Sequence, residues 1–440
     1  MTLDKHNQRR VNGTKTNKNA FWQGSKIMAI KRIRVSNFKS FKELVLELGN
    51  FNVVIGANAS GKSNFVQIFR FIRDIANMGL DNAISLQGSE YLTNIGVALP
   101  QLLSLKVTVV TDEFGLGVAE SVIARINEAD YEFALRFRPK ITEFEIIKDS
   151  LSLRAKFNPF TRIKNGKIKE GKTIGTGSLI IRNEKGSPKF ELKRPARIKA
   201  TAKDLFPPFL REKLKPKTLL LQTPFFFFPP FESVFGDIAI YDFDPKLSKK
   251  AVPVAGKFEL EEDGGNLSLV LKSIVENKAK KRKFSNLMKD LLPFVEDLST
   301  DKFADKSLLF KLRENYFPGV YFPASFISDG TVNISALLIA LYFEQKSLII
   351  IEEPERNVHP HLISKIMDMM KDASENKQII ITTHNPEVVK HTNLENILLV
   401  SRDKDGFSTV SRPAKKKEVK IFLKNEMGTD ELYVQNLLGG

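Results

Sequence analysis

Gly56-Ala57-Asn58-Ala59-Ser60-Gly61-Lys62-Ser63 is the stretch that decides the fold. It satisfies G-x-x-x-x-G-K-[ST] in full, and its flanks supply the context that the motif requires. Phe51-Asn52-Val53-Val54-Ile55 leads in as an apolar run, and residues 64–75 follow with apolar side chains at helical spacing. Strand, glycine-rich turn and helix, in that order, gather backbone N–H groups around an anion and set a helix N-terminus behind it. Gly56 and Gly61 keep Cβ atoms out of the way. Lys62 is expected to reach β- and γ-phosphates, and the Ser63 hydroxyl to ligate Mg2+. The candidate phosphate-binding residues are therefore Gly56, Ala57, Asn58, Ala59, Ser60, Gly61, Lys62, Ser63 and Asn64. They mark a nucleoside-triphosphate site.

Composition bounds what surrounds that site. The chain has 440 residues, 42% hydrophobic and 27% charged, enough for two or three soluble domains with a sizeable core. It has no cysteine, which excludes disulfides, thiolate zinc sites and a cysteine nucleophile and suits a reducing cytoplasm. No apolar run approaches the roughly 18 residues of a membrane span, and the N-terminus lacks the apolar centre of a signal peptide. A cytosolic protein without a membrane partner is expected. The net charge of +17 favours an anionic partner, with nucleic acid first and ATP itself or acidic proteins as alternatives, while no single patch accounts for the excess.

Residues 1–28 are polar and basic and carry no period, so they read as a disordered tail. Residues 30–35 and 44–48 alternate like paired strands and open the first half of a nucleotide-binding head, 29–102. Within it, residues 79–96 read as a loop. Residues 103–260 read as an inserted β-rich lobe, in which about 103–192 form short alternating runs separated by turn residues, as in an antiparallel sheet, with a mobile basic hairpin or loop over 157–172. Residues 203–232 are proline-rich and irregular around Phe225-Phe228, which pack inward or present an apolar patch. In the helical segment 261–320, helices are expected over 266–275 and 284–298, joined by the cationic run 278–283. No apolar heptads persist between 100 and 320, so a long coiled coil is not expected.

The second half of the head, 321–440, carries the rest of the site. Ser347-Leu348-Ile349-Ile350-Ile351 reads as a strand buried on both faces, and it ends in Glu352-Glu353-Pro354-Glu355. Carboxylates at the carboxyl end of such a strand lie where open α/β sheets bind ligands, beside the P-loop. Glu352 is the candidate for the metal and Glu353 for the base that deprotonates an attacking water. Ile379-Ile380-Ile381-Thr382-Thr383-His384 is a second buried strand, and its histidine is the candidate γ-phosphate sensor. Residues 358–373 supply the crossover helix between the two strands.

These pieces together resemble the ABC-type ATPase superfamily, in its branch of RecF-, OLD- and SMC-like ATPases. Residues 56–63 match its Walker A and 348–353 its Walker B with the adjacent glutamate. Ile381-Thr382-Thr383-His384 resembles its switch histidine. Ile327-Ser328-Asp329-Gly330-Thr331 resembles the branch's short signature, and Glu355-Arg356-Asn357-Val358-His359-Pro360 occupies its D-loop position. Asn37-Phe38-Lys39-Ser40-Phe41 resembles the element that borders the nucleotide, which makes Asn37 and Lys39 candidates. Gln87 stands as a candidate metal-side glutamine. Glu352 departs from the aspartate of most relatives, and the signature lacks the second glycine of transporter versions.

The resemblance implies an α/β P-loop head of ABC/RecF type, a mixed sheet flanked by helices, with an inserted β-rich and helical lobe. It also implies ATP and Mg2+ as ligands and a homodimer or higher assembly. In that assembly Ser328, Asp329 and Gly330 of one subunit cap the nucleotide held by another. Hydrolysis would separate the heads, and relatives of this layout act on DNA or on a separate effector, in repair or in defence against phage and plasmids. A non-hydrolysing sensor that gates an effector is the alternative. Asp242-Phe243-Asp244 offers a D-x-D pair of the kind metal nucleases use, but the residues after His384 are too few for the domain that would carry such an activity.

Overall fold

The computed structural model describes residues 29–94, 96, 102–119, 121–137, 144–162, 168–202, 212–223, 231–303, 307–419 and 428–438. The basic tail and the Phe225-Phe228 run lie outside them. Eighteen strands are described. In chain order they are β1 (Ala29–Phe38), β2 (Phe41–Glu47), β3 (Phe51–Ile55), β4 (Leu102–Ala119), β5 (Val122–Phe137) and β6 (Phe144–Arg162). There follow β7 (Ile168–Glu170), β8 (Gly175–Glu184), β9 (Ser187–Lys193), β10 (Ile238–Tyr241), β11 (Val252–Pro253) and β12 (Val295–Phe303). The last are β13 (Ser307–Glu314), β14 (Tyr321–Pro323), β15 (Leu348–Glu352), β16 (Gln378–Thr383), β17 (Ile397–Arg402) and β18 (Ser408–Ser411).

They form three sheets. The central one runs β10-β15-β16-β3-β17-β18, parallel except for β18. Its strands are apolar on both faces, as a covered parallel sheet requires. Period-two alternation splits them. Val54, Ile350 and Ile380 face a core shared with the P-loop helix, Lys62–Met78, whereas Val53, Ile351 and Ile381 face the helices Asp329–Tyr342 and Pro360–Ala373. The P-loop helix and the helix after the signature therefore lie on opposite sides of one sheet.

Over the P-loop helix packs an antiparallel sheet ordered β2-β1-β4-β5-β6-β8-β9, with β7 added to β6. Its inner side chains, Ile33, Val35, Val107 and Phe133 among them, close the first core. Gln378 joins the two sheets. Its amide donates to the Ile30 and Gly49 carbonyls (2.9 and 2.8 Å) and accepts from Ile30 N (3.0 Å), so a fully buried polar group is satisfied on all sides. The third sheet, β11-β13-β12 with β14 on β13, stands beside the helices Leu267–Val275 and Lys278–Leu291.

Several expectations need correction. Residues 79–96 hold the helices Leu80–Gln87 and Ser89–Leu92, because Leu80, Ala83 and Ile84 make a buried face that the polar neighbours conceal in the sequence. The cationic run 278–283 is the start of the helix Lys278–Leu291. Asn277 caps it by accepting from Ala279 N and Lys280 N (3.1 Å each), and lysine and arginine are good helix formers. That helix stops at Leu291, before Pro293, and β12 occupies part of the helix expected over 284–298. The alternating runs of the β-rich region belong to strands of up to 19 residues, and part of the expected basic hairpin is strand in β6 and β7. β10, inside the stretch read as the inserted lobe, pairs with β15 in the central sheet.

Asp149 clamps the antiparallel sheet to the segment Leu220–Gln222. It is 2% exposed and accepts from Leu220 N (2.8 Å), Asn183 Nδ2 (2.9 Å) and the Tyr131 hydroxyl (3.1 Å). Burial pushes its pKa up to about 6, although the three donors oppose the rise. Because the folded value lies above the unfolded one, this residue's contribution is full below about pH 4 and is lost as pH rises through about 6. Urea denaturation from pH 4 to 7 should show that decline. Asp149→Asn should flatten it and lower stability at neutral pH by about 1–3 kcal/mol, since one amide oxygen cannot serve three donors.

Candidate functional site

The site grows from the ends of three strands. β16 lies between β3 and β15, with Thr383 opposite Ile55 and Thr382 opposite Glu352. The acidic strand is thus one strand away from the P-loop strand, not next to it, yet all three stop at the same edge. Glu353 N donates to Thr382 O (2.9 Å), which fixes where the acidic turn begins.

Residues 56–63 make the expected turn. Gly61 has φ 117° and Ala59 φ 60°, left-handed values that let the chain fold back over the helix start. A Cβ at Gly61 would collide with Ser408 Oγ, and one at Gly56 with the Val400 carbonyl. No side chain caps the helix Lys62–Met78 and its first turn holds no acid, so its free N–H groups remain for an anion. Lys62 Nζ donates to the carbonyls of Gly56 (2.8 Å) and Ala57 (3.1 Å). Burial lowers its pKa, while Glu353 and Glu355 oppose that effect.

Supports for this turn come from residues that no motif marks. Arg402 donates to Ala59 O (3.1 and 3.0 Å), and Ser408 Oγ donates to Ser60 O (2.6 Å). Tyr433, from the helix Thr429–Val434, donates to Gly56 O (3.3 Å). Asn64 Nδ2 donates to Ser40 Oγ (2.8 Å), so the turn between β1 and β2 touches the P-loop helix through Ser40. Asn37 instead accepts from Asn94 N (3.0 Å). Lys39 lines a cavity of about 410 Å3 with Ser40, Asn64, Tyr91, Arg402 and Phe407, and burial lowers its pKa.

At the acidic tip, Glu353 has φ 47°, a strained conformation for a non-glycine residue and one that recurs at functional sites. Its Oε1 meets His384 Nδ1 at 2.7 Å and its Oε2 accepts from Arg356 Nη2 at 3.1 Å. Burial raises its pKa, but the hydrogen bond from Arg356 and the charge of His384 outweigh it, so the net shift is downward. An ionised carboxylate only accepts, which puts the imidazole proton on Nδ1. Burial raises the pKa of Glu352, with Asp242 adding to the rise and Arg70 opposing it. Glu355 is buried and accepts from Thr383 Oγ1, while its other oxygen is buried without a partner among the described residues.

The predicted residues fall into two groups. Lys62, Glu352, Glu353 and His384 share one edge of the sheet. Ser328, Asp329 and Gly330 lie at the start of the helix on the opposite face. Ser328 caps that helix by accepting from Thr331 N (3.2 Å), and Asp329 pairs with Lys249. Gly330 passes so close to the Asn357 carbonyl that a Cβ would collide with it, and Asn333 Nδ2 donates to Arg356 O (2.7 Å). The signature thereby touches the segment that follows Walker B. Gln87 ends its helix and donates to Gln67 Oε1 (2.8 Å), one turn along from Ser63, with no bond to Glu352.

The donor set fits a magnesium nucleotide. Gly56 and Gly61 form a cradle that a Cβ would fill, and Ser60 Oγ is buried without a partner among the described residues. Ser63 and Glu352 offer oxygen donors of the kind a hard cation takes.

Residues 51–390 match the family described as "AAA domain, putative AbiEii toxin, Type IV TA system". The chain belongs to this family. Among solved structures, it is similar to a Smc head bound to the C-terminal winged-helix domain of ScpA, with 15% identity over 87% of this chain and 96% of that one, and a TM-score of 0.46. A Smc head with an extended coiled coil bound to the C-terminal domain of ScpA, derived from Pyrococcus furiosus, gives 14% identity over 91% of this chain and 100% of that one, with a TM-score of 0.44. The SMC head domain from Thermotoga maritima gives 13%, 87%, 98% and 0.39 in the same terms. No curated protein matches. Membership supplies an AAA-type ATPase domain with a nucleotide-binding P-loop. Among the described residues no helix is long and apolar enough to cross a membrane.

Gly330→Ala tests the contact between signature and Walker B segments. It should destabilise the fold by about 1–3 kcal/mol in urea, because backbone must move to admit the Cβ. Gly117→Ala, where a Cβ meets nothing within 4 Å, should stay within about 0.5 kcal/mol.

Proposed function

We propose that the protein hydrolyses ATP at a site that a second copy of the chain completes, and that this cycle drives assembly on DNA or on an effector protein. The observation that carries the proposal is that Lys62, Glu353 and His384 stand just past the ends of three adjacent strands, β3, β15 and β16, while the helix begun by Ser328–Gly330 packs in the core on the sheet's other face. Within one chain the signature is on the wrong side of the sheet to cap the nucleotide. A head-to-tail pair brings it there.

In this reading Lys62 leaves the Gly56 and Ala57 carbonyls and takes up the β- and γ-phosphates. Ser63 and Glu352 hold Mg2+, which when bound offsets phosphate charge. Glu353 accepts a proton from the attacking water, and His384 orients Glu353 through Nδ1 and senses the γ-phosphate. Ser328, Asp329 and Gly330 of the second copy close over the triphosphate, and its hydrolysis removes the bridge between the copies. The cavity beside Lys39 and Asn64 is the proposed seat of the nucleoside, and Gln87 is proposed to reach the metal only when its bond to Gln67 opens. The net charge of +17 supports DNA as an anionic ligand. The toxin and toxin–antitoxin terms of the family's description support a defence role.

Lys62→Ala should abolish binding of a fluorescent ATP analogue. Glu353→Gln should bind ATP, lose turnover by about 100-fold or more, and accumulate a dimer or larger form in light scattering with ATP. Turnover by both variants at the parental rate would end the assignment of the site. If DNA is a ligand, it should accelerate hydrolysis at low salt and lose that effect as salt rises.

A further inference from the structure

Asp242 follows β10, the edge strand of the central sheet, and no motif of the P-loop site includes it. Tyr241 is opposite Ile351, so Asp242 stands level with Glu352 on the neighbouring strand. Its backbone is fixed, since Asp242 N donates to Glu262 O (2.9 Å). Its side chain, 53% exposed, accepts from Arg356 Nη1 at 2.8 Å. The other terminal nitrogen of the same guanidinium donates to Glu353 Oε2 at 3.1 Å. Two carboxylates thus divide one guanidinium.

We propose that Asp242 is a positioning residue for ATP hydrolysis, acting through Arg356 to limit the guanidinium to one bond with Glu353 and so keep that carboxylate's lone pairs open to the attacking water. The proposal rests on the reading of Glu353 as the base. Arg356 cannot move away as a whole, because its backbone N donates to Glu353 O (2.9 Å) and its carbonyl accepts from Asn333. Only the side chain can swing. While Asp242 holds one nitrogen, Glu353 receives a single bond from the guanidinium and keeps lone pairs for water. Without Asp242 the planar fork is free to grip Glu353 with both nitrogens, the geometry that arginine prefers with carboxylates. A carboxylate gripped in that way, with His384 already on Oε1, has fewer lone pairs left for the water.

The arrangement also explains the charge pattern around Arg356. The pair is half-exposed, so its direct contribution to folding is small, as for other surface ion pairs. What it changes is which bonds Glu353 makes. The same arginine leads from Glu353 to Asn333 on the signature helix, so Asp242 sits where the two halves of the site are joined in one chain.

The test compares wild type, Asp242→Asn, Asp242→Glu, Arg356→Gln and the double variant Asp242→Asn/Arg356→Gln for kcat and KM with ATP. Asp242→Asn is expected to lower kcat about tenfold, the equivalent of one added charge-assisted hydrogen bond on the base, with KM unchanged. Asp242→Glu should recover most of that loss. In the Arg356→Gln background, Asp242→Asn should have no further effect. Unchanged kcat in Asp242→Asn, an additive loss in the double variant, or a rise in KM would each overturn the proposal. A urea double-mutant cycle of Asp242→Asn with Glu353→Gln reads the shared guanidinium without turnover, and additivity there would overturn it as well. Absence of turnover in wild type would sink the ATPase reading alone, leaving the cycle to decide the contact.

Discussion

Parallel pairing of β15 and β3 with β16 between them is the constraint on which the rest depends. The register sets Glu352 opposite Thr382 and Thr383 opposite Ile55, so a one-residue slip would exchange the buried faces of a strand that is apolar throughout. Both faces are covered by separate cores, and this holds the register from two sides. From it follows the position of every group at the sheet edge. The P-loop begins where β3 stops, His384 where β16 stops, and Glu353 one residue beyond β15, in a left-handed conformation that the backbone bond to Thr382 holds.

The same sheet separates the two groups of candidate residues. The P-loop helix belongs to the core under the antiparallel sheet, and the helix Asp329–Tyr342 belongs to the core on the other side. Within one chain the two faces are linked by hydrogen bonds around the sheet edge. Asn333 holds Arg356, Arg356 holds Glu353, and Glu353 holds His384, each by a hydrogen bond of 3.1 Å or less. These are short links between charged or polar groups at a partly exposed edge, where a change in one bond alters what its neighbour can accept.

Much of this was legible in the sequence because it depends on local pattern. The glycine spacing of 56–63 needs a strand before it and a helix after it, and both are present. The apolar runs ending in Glu352 and in His384 read as buried parallel strands, and they are. The crossover helix appears as Pro360–Ala373, two residues inside the expected stretch. What escaped was set by partners distant in sequence. Nothing near Ser408 or Arg402 shows that they brace the P-loop, because β17 and β18 reach it through the pairing of β17 with β3 and through Ser40, all distant in sequence. Asp242 carries a D-x-D pattern, yet its partner Arg356 lies 114 residues away. The helix at Leu80–Gln87 and the cationic start of Lys278–Leu291, whose later part was expected as helix, were hidden because only three side chains on each helix are buried and polar residues stand between them.

A crystal structure of the protein with Mg2+ and a non-hydrolysable ATP analogue would test the central claim most directly. Lys62 Nζ should have left the Gly56 and Ala57 carbonyls for the phosphates, with the γ-phosphate facing Glu353 and His384. A nucleotide bound elsewhere, or bound with Lys62 still on those carbonyls and Glu353 remote from the γ-phosphate, would contradict it.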